Sequence, residues 1–175
     1  MEELVKRAVE LGFSHAGMLD VSTLELRSEV RDMCREDKCN CFGKCWTCPP
    51  ACGNLEDNAR IVSRYKSGLI VQTTGEMEDD FDYESMLDAD KRQRRAFASF
   101  RRELAIEYPN LLALGNGSCQ ACAVCAYPEP CRNPGSAISS MEAFGLIVSD
   151  VCAKNGLGYY YGPRTITYTG CYLLL

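Results

Sequence analysis

Apolar positions recur at helical spacing from the start of the chain. Leu4, Val5, Ala8 and Leu11 predict a helix over residues 2–11, closed by Gly12. The short apolar run Phe13–Leu19 predicts a strand. Leu24, Arg27, Val30 and Cys34 lie three or four apart, which predicts a second helix over Ser22–Met33 with Cys34 at its end. Leu55, Ala59, Val62 and Tyr65 make the inner stripe of a third helix over Asn54–Lys66. Gly68 then leads into Leu69–Thr74, a strand by its β-branched content. Residues 79–105 predict the longest helix, acidic at first (Asp79, Asp80, Asp82, Glu84) and basic later (Lys91, Arg92, Arg94, Arg95, Arg101, Arg102). Phe97, Phe100 and Leu104 give it an apolar face. Its basic stretch reads as a solvated face suited to the helix dipole or as a surface for an anionic partner.

Leu111–Leu114 predicts a further strand. Ser139-Ser140-Met141-Glu142 has Ser and Glu three apart, a capping-box spacing that predicts a helix running to about Lys154 and stopping at Asn155-Gly156. Leu157–Tyr161 and Thr165–Leu174, joined through Gly162-Pro163, predict two strands in a hairpin. Helices and strands alternate, so the expected fold is α/β: a single compact domain over 1–175 with two cysteine-rich metal-binding loops. A chain of 175 residues suits one domain.

Charge and composition remove several classes. The net charge of −5 argues against nucleic acid as a partner. No run of 18 apolar residues offers a membrane span. The opening MEELVKRAVELGF has no secretory pattern, and the closing residues carry no lipidation box. The expected compartment is therefore the cytoplasm, where thiols stay reduced. That expectation makes the twelve cysteines the feature to explain.

Ten of the twelve fall in two islands. The first holds Cys34, Cys39, Cys41, Cys45, Cys48 and Cys52; the second holds Cys119, Cys122, Cys125 and Cys131. Cys152 and Cys171 stand alone in apolar patterns and read as small buried hydrophobes. The second island, with three cysteines at two-residue gaps and a fourth near proline, is similar to the bacterial ferredoxin run. A coil with a thiolate at every third residue can wrap one corner after another of an iron–sulfur cubane. Ala121 and Ala123 leave room for backbone N–H groups to approach sulfur. The five residues before Cys131, rather than three, leave the fourth ligand open. Zinc is the alternative, with Cys45/Cys48 and Cys119/Cys122 as two knuckles. In the first island, Cys48-Pro49-Pro50 places a thiol on a rigid turn, and Arg35, Lys38 and Lys44 offset thiolate charge. Trp46, the one tryptophan, reads as core packing or as a shield over a cluster.

These stretches resemble a family of prokaryotic predicted metal-binding proteins that carry a cysteine-rich domain of unknown function. The resemblance rests on Val30-Arg31, Cys34, Lys38-Cys39, Phe42-Gly43 and Trp46-Thr47-Cys48-Pro49-Pro50 with Gly53. It continues through Gly117-Ser118-Cys119, Cys122, Cys125-Ala126, Cys131-Arg132 and Pro134 to Ser140-Met141-Glu142-Ala143 with Gly145. It implies metal binding at Cys34, Cys39, Cys48, Cys119, Cys122, Cys125 and Cys131, with Cys41, Cys45 and Cys52 as additions. Two cubanes held wholly by protein need about eight thiolates. Seven family-like positions therefore leave either one added cysteine to complete the set or one iron open.

The expected function is that of an iron–sulfur protein with one or two [4Fe-4S] clusters, acting in electron transfer or a cluster-based reductive reaction, in an anaerobe or facultative anaerobe. A redox partner protein is then expected. The rivals are a zinc-binding structural module and a thiol-based metal or sulfur carrier that uses Cys41, Cys45 and Cys52. His15, the one histidine, lies outside both islands and reads as structural. Glu142 and Arg132 are weaker acid/base or anion-binding candidates.

Overall fold

The computed structural model describes all residues 1–175. Its centre is a five-stranded sheet in the order β1-β2-β5-β3-β4, formed by His15–Asp20, Ser67–Glu76, Thr165–Leu174, Leu112–Gly115 and Ser139–Ser140. The pairings are antiparallel except β3 with β4, which is parallel. Five α-helices accompany the sheet: α1 (Glu2–Glu10), α2 (Ser28–Arg35), α3 (Leu55–Val62), α4 (Tyr83–Glu107) and α5 (Val148–Lys154). This is the α/β domain that alternation along the chain predicts.

Two cores lie on opposite faces of the sheet, because successive strand residues point to opposite sides. Leu69, Val71, Tyr172 and Leu174 face α1 and α4, where they meet Leu4, Ala8, Phe97, Phe100 and Leu104. Ile70, Leu114, Cys171 and Leu173 face the other way, against Met141, Phe144, Leu146 and α5 with Val151 and Cys152. Cys152 and Cys171 are fully buried, as their apolar surroundings predict. Gly170 permits the close approach of α4: a Cβ there would lie 2.6 Å from the Phe97 ring and 3.0 Å from the Leu114 carbonyl oxygen.

Several elements differ from expectation. The helix expected over Ser22–Met33 is a 3-10 turn (Val21–Thr23), an extended link, and only then α2. The link is extended because the Arg27 N–H donates to the Gly145 carbonyl across the fold (2.7 Å). α3 is shorter at its end than expected, and Asn54 is its cap, accepting from the Asp57 N–H at 2.8 Å. α4 starts at Tyr83 rather than 79, because Asp82 caps it by accepting from the Ser85 N–H (3.0 Å).

The helix expected from Ser139 is not continuous. Ser139 and Ser140 pair with β3 instead, a single 3-10 turn covers Glu142–Phe144, and Gly145 ends it at φ +88°. A helix resumes at Val148. The expected Ser139–Glu142 box does not form; Ser140 instead accepts from the Ala143 N–H through its hydroxyl oxygen (3.0 Å).

Leu157–Tyr161 is not a strand and forms no hairpin with β5, whose two edges are already taken by β2 and β3. The segment lies instead over buried Gln72. The Tyr161 hydroxyl donates to Gln72 Oε1 (2.7 Å), and Gln72 Nε2 donates to the Gly158 carbonyl (2.9 Å). His15 stacks on the Tyr161 ring with centroids 3.9 Å apart, the structural role expected of it. No helix is long and apolar enough to cross a membrane.

Candidate metal centre

Both cysteine islands are irregular loops, and side chains from regular elements hold them. α4 fixes the second island at both ends. Asp90 accepts from Arg94 Nε (2.8 Å) and from Asn116 Nδ2 (2.6 Å), while Arg94 Nη1 donates to the Ser118 carbonyl (3.0 Å), the residue before Cys119. One end of the basic stretch thus grips the island's start. Arg101 Nη1 reaches the Gly135 carbonyl (2.6 Å) beyond Cys131. Arg31 of α2 holds the first island to the short 3-10 turn, donating to the Gly53 and Ala143 carbonyls at 2.8 Å each. Within that island Asp37 accepts from the Phe42 N–H (2.8 Å) and from Lys44 Nζ (3.0 Å). These bonds hold the Asp37 carboxyl below its usual range.

The two islands touch. Trp46 Nε1 donates to the Glu129 carbonyl (2.8 Å), and its ring meets Tyr127 edge-on at 5.0 Å. Tryptophan is therefore a bridge between the loops. At the junction a narrow cleft is lined by Cys119, Cys122, Cys125 and Cys131 from the second island and by Cys45 from the first. Ala121, Ala126 and Ala137 give it an apolar wall, Trp46, Thr47 and Arg132 also line it, and no carboxylate does. Cys45 is buried, with its sulfur 3.3 Å from Thr47 Oγ1.

N–H groups are aimed at these sulfurs. Asn133 Nδ2 donates to Cys122 Sγ (3.1 Å), and the Ala121 N–H to Cys119 Sγ (3.5 Å). Backbone N–H groups of Tyr127 and Trp46 point at Cys125 and hold its thiol below the ordinary value.

None of the remaining first-island cysteines lines that cleft. Cys34, on the last turn of α2, lies within electrostatic reach of Arg31, Cys39 and Glu142, and burial raises its pKa. Cys52 is raised by burial too, with Arg31 and Cys34 as neighbours. Cys48 is buried beside Cys45 and Cys41, and desolvation raises its thiol strongly. Cys39 is exposed. Of the seven residues expected as ligands, four line the cleft, Cys34 neighbours Cys39, and Cys48 lies against Cys45 and Cys41 instead. Cys45 adds a fifth sulfur to the larger group, the cross-island juxtaposition with Cys119 and Cys122 that the knuckle alternative expects, though without Cys48 in the lining.

The donor set fits an iron–sulfur cluster. It is all sulfur, it sits in an apolar wall, and it receives N–H bonds of the kind that stabilise bound thiolate. Zinc in a structural site takes four ligands at one tetrahedral point, whereas a cubane spreads its thiolates over several irons.

Fold and site together define a cysteine-rich α/β metal-binding protein. The chain belongs to the family of predicted metal-binding proteins DUF2284, whose pattern matches residues 17–174. No curated protein matches it. Among solved structures it is similar to epoxyqueuosine reductase from Bacillus subtilis, at 12% identity and a TM-score of 0.47, over 99% of this chain and 45% of that one. A selenomethionine-labelled epoxyqueuosine reductase is matched at 11% identity and a TM-score of 0.47, over 98% and 44% of the two chains. The chain therefore spans less than half the length of these reductases.

Proposed function

We propose that the protein holds iron–sulfur clusters between its cysteine islands and serves in electron transfer or a cluster-based reductive step. The observation that carries this reading is the junction cleft, which five cysteines line without a carboxylate or an imidazole. Cys119, Cys122, Cys125 and Cys131 would hold one [4Fe-4S] group, with Cys45 available in place of any one of them. Cys34, Cys39 and Cys48 would hold a second, completed by Cys41 or Cys52 or with one iron left open. Such a group, when bound, supplies one-electron reduction at a potential set by its surroundings. The chain's own part is to exclude water through the alanine wall and Trp46, and to stabilise bound thiolate through the N–H groups of Ala121, Tyr127 and Asn133.

Protein purified without oxygen is expected to be brown, with equal iron and acid-labile sulfide and a paramagnetic resonance signal after reduction. Cys122→Ser together with Cys125→Ser is expected to remove about half of the iron if two clusters are present. Colourless protein with stoichiometric zinc under the same conditions overturns the reading.

A further inference from the structure

A second cleft lies on the other side of Cys119, between α4 and the start of the second island, with a volume of about 400 Å³. That falls in the size range of small-molecule pockets. One wall is cationic: Lys91, Arg94 and Arg95, three and four positions apart on α4, share one side of the helix. No Asp or Glu lines the cleft, although acidic residues outnumber basic ones in the chain, 24 to 19.

Arg94 is committed to Asp90 and the Ser118 carbonyl. Arg92, which points elsewhere, is paired with Asp88 at 2.9 Å. Lys91 and Arg95, by contrast, have no carboxylate within ion-pair distance and are exposed. The floor is apolar, made by Phe97 and Ile138, while Asn116 and Ser136 add neutral hydrogen-bonding groups. Two unpaired cations over an apolar floor are arranged for a small molecule with an anionic end and a flat apolar body.

We infer that this cleft binds a small organic anion, a carboxylate or phosphate monoester, with its charge on Lys91 and Arg95 and its body on Phe97 and Ile138. The site does not depend on which metal the islands hold. Its position against Cys119 puts the ligand next to the candidate centre.

The test is calorimetric titration of the anaerobically purified, metal-loaded protein with benzoate and phenyl phosphate, and with benzyl alcohol as the uncharged control. Saturable one-to-one binding of either anion is expected, and the tighter of the two names the acid. Benzyl alcohol is expected to bind at least tenfold more weakly, and Lys91→Ala with Arg95→Ala to weaken the anion about a hundredfold, since each contact is a charge-assisted hydrogen bond. Iron and sulfide content, measured on the same samples, shows that the variants keep their centre. No binding of either anion, binding that the double variant leaves unchanged, or equal binding of the alcohol overturns the inference. Absence of anion binding by the unaltered protein at full iron content counts against this site alone; zinc in place of iron with anion binding intact counts against the cluster reading alone.

Discussion

The thiols of this protein are not equivalent, and their differences follow from what each sulfur touches. Cys125 receives backbone N–H groups, which favour its thiolate, whereas Cys34 and Cys52 are desolvated, which favours the neutral thiol. Since thiolate is the nucleophile, the metal-free chain should be alkylated first at Cys125 near neutral pH. That lead should vanish as pH falls through the depressed value of Cys125, where its thiolate is protonated. Cys34 and Cys52 should react only as pH rises above the ordinary thiol range. Iodoacetamide labelling read by mass spectrometry at stepped pH measures this, and uniform labelling would contradict it. Cys171, fully buried and pushed up to about 12, should stay unlabelled until the chain unfolds.

Among the elements, α4 has two duties. Its apolar face packs on the sheet through Phe97, Phe100 and Leu104, and its polar face anchors the second island through Asp90, Arg94 and Arg101. Arg94→Ala removes the bond to the Ser118 carbonyl and leaves partly buried Asp90 with Asn116 alone. It should destabilise the protein by about 2 kcal/mol. Arg102→Ala, on the same helix but exposed and unpaired, should change stability by less than about 0.5 kcal/mol. Denaturant titration of the two variants decides, and equal losses would show that Arg94 does not anchor the island.

The apolar face of α4 is legible in the sequence because Phe97, Phe100 and Leu104 keep helical spacing. The anchoring is not, because charges on a helix look alike whether they meet solvent or a loop carbonyl. The Ser139–Glu142 stretch misleads for a related reason: its spacing matches a cap, but strand pairing with β3 and the turn at Gly145 are tertiary facts. β2 and β5 are plain in their β-branched runs, whereas the absence of a hairpin before β5 follows only from the strand order.

Across the whole molecule, the sheet and its two cores are built without the islands. Of the twelve cysteines only Cys152 and Cys171 belong to either core. Stripping metal with a chelator should therefore leave far-ultraviolet dichroism and a cooperative thermal transition in place. Limited proteolysis should then open the chain within 34–53 and 117–137. Collapse of the dichroism would mean that metal holds the fold, as it does in small zinc domains. The second island's four cysteines are readable as a group because they are close in sequence. That Cys45 joins them is decided by how one loop folds over the other.

The single indole of the chain lies where those loops meet, hydrogen-bonded across the junction and lining the thiol cleft. Its fluorescence is thus a natural gauge: free of any other tryptophan signal, it should be quenched when a light-absorbing inorganic group fills the cleft, brighten on extraction, and shift to the red if the loops part and water reaches the ring.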